Sequence, residues 1–277
     1  MKKFLFFDMD GTLISIKNHQ IPKSAIEAIQ QAIGKGHICF ICTGRAYQMA
    51  REFEDVLSMP GIIFCNGAGI VYEQKILEVN PIPRKQVEEI VELAERLGGA
   101  YQLLTTNHEF QNEKQRKGAI RRLANRYPDL TAEQVLEKRA MVRMQEYNGE
   151  PIQKIDAYFA NELTADIFFS RVPKELTIIR NGGYYAGFGS KGGELTAPGI
   201  SKGTGILHAL KLLGGNVENT YCFGDSANDM EMMKVCAHSV AMGNGSEDVK
   251  KNAEYVTEDV DQDGIYKALL HYGLIEE

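Results

Sequence analysis

The stretch Phe4-Leu5-Phe6-Phe7-Asp8-Met9-Asp10-Gly11-Thr12-Leu13 decides the fold. Four consecutive apolar residues closed by Asp and Gly read as a strand covered on both faces, the pattern of a parallel sheet. Ligands of such sheets collect outside the carboxyl ends of the strands, where Asp8 and Asp10 stand two residues apart. Two carboxylates crowded there repel each other until a cation or a proton resolves the conflict. A plain Asp-Gly chain reversal would account for the same residues, so the rest of the chain has to decide between a turn and a site for chemistry.

Downstream, Pro22-Lys23-Ser24 opens a segment with Ile26, Ile29 and Ile33 at helical spacing, closed by Gly34 and Gly36. A second strand through Phe40-Ile41-Cys42 ends at Thr43-Gly44-Arg45, and a third, Ile62-Ile63-Phe64-Cys65, ends at Asn66-Gly67-Ala68-Gly69. Repeated strand ends carrying Gly and small polar residues predict one rim of a parallel sheet built from several loops. Pro81-Ile82-Pro83 then breaks the pattern, because each proline removes a donor and restricts the residue before it. A domain boundary is placed there. Beyond it, Val87, Ile90, Val91, Ala94 and Leu97 make an amphipathic helix stopped by Gly98-Gly99. The stretches Ile155 to Phe159 and Asp166 to Ser170 read as short strands of a mixed α+β module, and its Gly-rich exit, Gly182 to Gly193, offers a hinge.

Core patterning returns with Ile206, Leu207, Leu210 and Leu213 on a helix ended by Gly214-Gly215. The strand Tyr221-Cys222-Phe223 delivers Gly224-Asp225-Ser226-Ala227-Asn228-Asp229 to the same kind of rim. Helical Met230 and Met233, a strand from His238 to Met242, the loop Gly243-Asn244-Gly245 and a last strand near Tyr255-Val256 complete the chain. The expected fold class is α/β: a doubly wound, Rossmann-like parallel sheet from residues 1–82 and 191–277, with an α+β domain inserted at 83–190.

Composition removes several classes of function. With 31 basic against 37 acidic residues, the 277-residue chain has no global electrostatic footprint for nucleic acid or an anionic membrane, so any anion is held locally. The five cysteines, an odd number set mostly in apolar segments, read as packing residues of a reducing compartment. Cys39 and Cys42 have the C-x-x-C spacing of redox and zinc sites, but three residues apart on a strand they point to opposite faces. The chain enters a strand at once, with no apolar stretch long enough for a signal peptide or a membrane span, so a cytoplasmic location is expected, as monomer or homodimer.

Four separated segments converge on one rim: Asp8 and Asp10; Thr43-Gly44; Lys202 within Gly199-Ile200-Ser201-Lys202-Gly203; and Asp225, Asn228 and Asp229. Together they resemble the four motifs of the haloacid dehalogenase-like phosphatases, and with Ala241-Met242-Gly243-Asn244 the set looks like the Cof-type branch, which carries a large α/β cap between the second and third motifs. The resemblance implies Mg²⁺ as cofactor, a small phosphorylated metabolite as partner, and hydrolysis of its ester through an aspartyl phosphate. Asp8 would be the nucleophile and Asp10 the acid and base. Asp8, Asp225 and a backbone carbonyl at Asp10 would hold the metal, with Asp229 holding the metal waters or Lys202. Thr43, Gly44, Lys202 and Asn228 would receive the phosphoryl group. The physical need is plain: a carboxylate approaching a dianion meets repulsion that grows as water leaves, so positive charge has to offset it. Ion-pumping relatives carry Thr where this chain has Asp10, which favours rapid hydrolysis here. A phosphotransferase or phosphomutase using the same intermediate, and a weakly active phospho-ligand-binding module, are the alternatives. Arg45 and Asn66 stay ambiguous, and Lys114, Arg116, Lys117, Arg121, Arg122 and Arg126 read as a basic helical face. Tyr184, Tyr185 and Phe188 read as packing residues.

Overall fold

A computed structural model describes residues 2–124, 127, 129–181 and 191–277. In chain order the strands are β1 (Phe4–Phe7), β2 (Ile38–Cys42), β3 (Gly61–Phe64), β4 (Gly69–Tyr72) and β5 (Lys75–Val79). Then come β6 (Ala100–Leu104), β7 (Glu109–Gln111), β8 (Met141–Arg143), β9 (Lys154–Phe159), β10 (Thr177–Asn181) and β11 (Lys191–Thr196). The last three are β12 (Thr220–Gly224), β13 (His238–Ala241) and β14 (Tyr255–Val256).

The chain divides into two compact units, one of Met1–Arg45, Ala50–Glu78 and Ser201–Glu277, the other of Ala46–Met49 and Val79–Ile200. The first holds an eight-stranded sheet in the order β14-β13-β12-β1-β2-β3-β4-β5. Strands β14 through β3 run parallel, and β4 turns back antiparallel on β3. The α/β fold class read from the sequence is therefore the observed one. Strand order reverses direction between β1 and β12, and crevices at such switch points are where open α/β sheets bind ligands.

Apolar runs explain why these strands are central. All four residues of β1 and all five of β2 are buried. Phe7 stacks on Phe223 of β12 with ring centroids 4.5 Å apart, and Phe6 lies 5.3 Å from Phe40 of β2. Each such side chain contributes about 1.5–3 kcal/mol by leaving water. The helix Lys23–Gly34 forms where the isoleucine spacing predicted it and buries Ala25, Ala28, Ile29 and Ala32, while Ile26 and Ile33 are only half-buried. The helix Lys202–Leu213 buries Ile206, Ala209 and Leu210 but leaves Leu207 exposed. It ends at Gly214 in the left-handed conformation, where glycine carries no Cβ penalty.

The second unit contains a six-stranded sheet, β10-β11-β9-β6-β7-β8, antiparallel except where β8 joins β7. Its first helix, Arg84–Arg96, buries Val87, Ile90, Leu93 and Ala94. One expectation fails: Asp166 to Ser170 lies in a helix, Glu162–Arg171, not a strand. The reason is Asn161, whose side chain accepts the Thr164 N–H and caps the helix before the apolar run begins, so that Ala165 and Phe168 share one buried face. The basic segment is helical over Glu113–Ala124, where Lys114 Nζ bonds the Gly98 carbonyl and Arg116 that of Met141. Arg126, Tyr184, Tyr185, Phe188 and residues 182–190 of the expected hinge lie outside the described residues, and Lys191 to Gly193 belong to β11. Among the described residues no helix is long and apolar enough to cross a membrane.

Candidate active site

Parallel register assembles the site. Phe7 lies opposite Phe223 in β12 and Ile41 in β2, so the residues that follow these strands emerge side by side. Asp8 continues the ladder through its N–H to the Phe223 carbonyl, 2.9 Å, and Thr43 does the same to Ile63, 2.9 Å. Asp225 follows the last residue of β12. Lys202 comes from elsewhere, the first turn of its helix, where Ser201 and Thr204 form a capping box. The helix reaches the rim because glycines meet there: a Cβ on Gly205 would sit 2.7 Å from Gly67 Cα.

Lys202 is 0% exposed, and its Nζ donates to Asp8 Oδ1 at 2.5 Å and to Asp229 Oδ1 at 2.6 Å. Burial alone would discharge the ammonium, yet the attraction of Asp229 and Asp8 outweighs it and holds the Lys202 pKa well above the usual 10.5. Asp229 Oδ2 accepts the N–H groups of Asp225 and Ser226, both at 2.9 Å, so this carboxylate shapes the loop as well as gripping the lysine. Asp225 Oδ1 accepts from Thr12 at 2.9 Å.

Asp8, Asp225 and Asp229 each offer an oxygen within 4.8 Å of the others, a group able to hold a metal ion. Burial pushes the Asp8 pKa up to about 7; Lys202 pulls against this, and Asp229 and Asp10 add repulsion. Burial likewise pushes Asp225 up to about 9, with repulsion from Asp8 and Asp229 added. Carboxylates so starved of countercharge, with oxygen as the only donor, suit a hard divalent cation. Gly11 makes the packing possible: its φ is +91°, and a Cβ there would lie 2.5 Å from Asp225 Oδ2.

Asp10 is outside this cluster. Its side chain is 51% exposed, and both oxygens are gripped by Arg45, Nε to Oδ2 at 2.8 Å and Nη2 to Oδ1 at 2.5 Å. Thr43 is buried with its hydroxyl accepting the Arg45 N–H at 3.2 Å, and Gly44 beside it is half-buried. Asn228 accepts from Ser226 Oγ at 2.8 Å and points Nδ2 at Asn66 Oδ1, 3.4 Å away. Of the predicted rim residues, Asp8, Lys202, Asp225 and Asp229 thus form one cluster, Asn66 links Asn228 to the Thr43 loop, and Arg45 links Asp10 to the same loop.

Sequence reasoning passed over Thr12 and left Arg45 and Asn66 open. It also gave no role to Asn244, whose side chain donates to the Gly11 carbonyl at 2.7 Å and accepts from Val260. Asn66 is wholly buried with φ 56°, its N–H on the Thr43 carbonyl at 3.0 Å. The one signal available was position, since Thr12 and Arg45 directly adjoin the quoted motifs.

Comparison with known proteins agrees with this geometry. The family model for haloacid dehalogenase-like hydrolases matches residues 5–269. The chain is similar to the 5-amino-6-(5-phospho-D-ribitylamino)uracil phosphatase YcsE of Bacillus subtilis (strain 168), 27% identical, covering 98% of this chain and 96% of that one. It is also similar to the pyridoxal phosphate phosphatase YbhA of Escherichia coli (strain K12), 26% identical over 95% and 96% of the two chains. Among solved structures, the HAD subclass IIB sugar phosphatase BT4131 aligns with a TM-score of 0.78 and 28% identity, covering 99% of this chain and 100% of that one. Motif order, sheet topology and a full-length family match converge, and the chain belongs to the haloacid dehalogenase-like hydrolases, as a phosphatase.

Proposed function

We propose that the chain is a Mg²⁺-dependent phosphohydrolase of small cytoplasmic phosphate esters, sugar phosphates or related metabolites, acting through an aspartyl phosphate on Asp8. The observation that carries this reading is the division of labour between the two acids: Asp8 is buried with Lys202 at 2.5 Å, while Asp10 is held apart by Arg45. Asp8, Asp225 and the Asp10 backbone carbonyl would hold the metal, with Asp229 anchoring Lys202 and the loop. When bound, Mg²⁺ offsets the repulsion between the Asp8 carboxylate and the phosphoryl oxygens.

The Asp8 oxygen attacks phosphorus as the ester oxygen departs, which is covalent catalysis by a carboxylate. Lys202 places a fixed positive charge beside the attacking oxygen, and the buried setting strengthens it. Thr43, the Gly44 N–H and Asn228 donate hydrogen bonds to the phosphoryl oxygens. Asp10 protonates the leaving oxygen and then takes a proton from the water that attacks the aspartyl phosphate. The inserted segment 83–190 acts as the cap that selects the substrate. Support for small esters comes from the named substrates of the relatives, a sugar phosphate, pyridoxal phosphate and a phosphoribitylamino-uracil.

The test is phosphate release from a panel of sugar phosphates, nucleotides and an aryl phosphate, with Mg²⁺ or EDTA, comparing the native chain with Asp8→Asn. Metal-dependent release abolished by the substitution is the expected result. Product analysis separates hydrolysis from transfer to a sugar hydroxyl, and release that survives Asp8→Asn refutes the reading.

A further inference from the structure

Arg45 carries a charge that cannot be switched off, yet its side chain is almost fully buried. Its backbone ties two loops of the rim together: the N–H donates to Thr43 Oγ1 and the carbonyl accepts the Cys65 N–H at 2.9 Å. The guanidinium lies 5.4 Å from the Phe53 ring centroid, and Nη1 stands 3.9 Å from Glu52 Oε1. A planar fork held by a ring on one side and a carboxylate on another has little freedom left, and it dictates the plane of whatever it binds. What it binds is Asp10, through both oxygens. The Asp10 side chain is itself half exposed and stands outside the group formed by Asp8, Asp225 and Asp229.

We infer that Arg45 is the positioning residue of Asp10, holding its carboxyl group in the orientation from which a proton reaches the ester oxygen. This rests on the proposed acid role of Asp10. In that step an Asp8 oxygen forms the bond to phosphorus and the phosphorus–ester oxygen bond breaks. The electron pair of the broken bond goes to the ester oxygen, which takes the proton of the Asp10 carboxyl. Arg45 moves no proton itself and acts on the step only through the Asp10 carboxyl group.

The measurement is the leaving-group dependence of kcat/KM, which reports the steps up to departure of the alcohol. Nitrophenyl phosphate, whose phenolate leaves without a proton, is compared with the alkyl phosphate ranked first by the substrate panel. Arg45→Ala is expected to lower kcat/KM for the alkyl ester about 100-fold and for the aryl ester less than about threefold, the size of loss that misplacement of a catalytic group produces. Added guanidinium ion restores the alkyl ester rate. Arg45→Lys keeps the charge without the fork, loses about tenfold on the alkyl ester alone, and carries the test if the alanine variant does not fold. The ratio between the two esters is independent of how much enzyme is folded. Equal losses on both esters in the Arg45 variants, with Asp10→Asn still selective for the alkyl ester, overturn the inference while leaving the acid role intact. Equal losses in Asp10→Asn remove the acid role and this inference with it.

Discussion

Replacing Lys202 by methionine puts the electrostatics of the site to a quantitative test. The ammonium is wholly buried and bonded to Asp8 and Asp229, so Lys202→Met leaves two buried carboxylates without their cation. Breaking a buried pair by removing one partner costs about 3–5 kcal/mol. The deficit depends on pH, and its sign follows from Asp8. In the native chain the folded Asp8 pKa, about 7, lies above the usual 3.8, so its contribution to stability is fully present below the unfolded value and is lost as pH rises to about 7. Above that Asp8 itself adds no further loss in the native chain, while Asp225, at about 9, goes on titrating in native and variant alike. Without Lys202 the Asp8 pKa rises further, and the variant keeps losing stability at up to about 1.4 kcal/mol per pH unit. The gap between native and variant therefore widens by about 3 kcal/mol between pH 7 and pH 9. Lys202 does not cancel this, because its own raised pKa keeps it charged throughout that window. Thermal unfolding of the metal-free proteins at pH 6, 7 and 9 reads the effect, as a fall in Tm of about 10 °C at pH 9. A deficit that is the same at pH 6 and pH 9, or below about 1 kcal/mol at pH 9, would show that Asp8 and Lys202 do not compensate each other as described.

Other outcomes follow from the same geometry. Because Asp225 sits at about 9 and Asp8 at about 7, Mg²⁺ binding at pH 7 releases about one to one and a half protons, measurable by calorimetry in buffers of different ionisation enthalpy; binding without proton release contradicts the assignment. Gly11→Ala places a methyl 2.5 Å from Asp225 Oδ2 at a φ of +91°, so the Mg²⁺ concentration for half-maximal activity rises about tenfold or more, and an unchanged metal requirement removes Asp225 from the metal site. The five cysteines are buried, and burial pushes Cys39 up to about 12 and raises Cys42 and Cys222 as well. A thiol reagent therefore leaves the native protein unmodified until it unfolds, and rapid labelling of the folded chain contradicts their burial.

Amino-acid order alone determined the strand–loop pairs of the rim. Runs such as Phe4 to Phe7 and Ile38 to Cys42 are apolar throughout, the usual composition of a strand buried on both faces. Asp8, Thr43 and Asp225 are legible for the same reason: each is the first polar residue beyond such a run or its closing glycine. The misread stretch Asp166 to Ser170 shows the limit, since its apolar core fits either period and a cap three residues upstream of its helix interior decided the matter. Only the tertiary structure decided the rest. Nothing local to Arg45 marks it for Asp10, and a fork between residues 35 positions apart exists only because β1 and β2 lie side by side. Lys154, between Asp156 at 3.0 Å and Glu194 at 3.1 Å, is a buried ion group of the second unit that no local pattern marks, because strands β9 and β11 bring its members together. Local sequence sets which residues can end a strand or cap a helix. Which charges meet, and how far from water, depends on contacts between segments distant along the chain, where desolvation and Coulomb attraction are first defined.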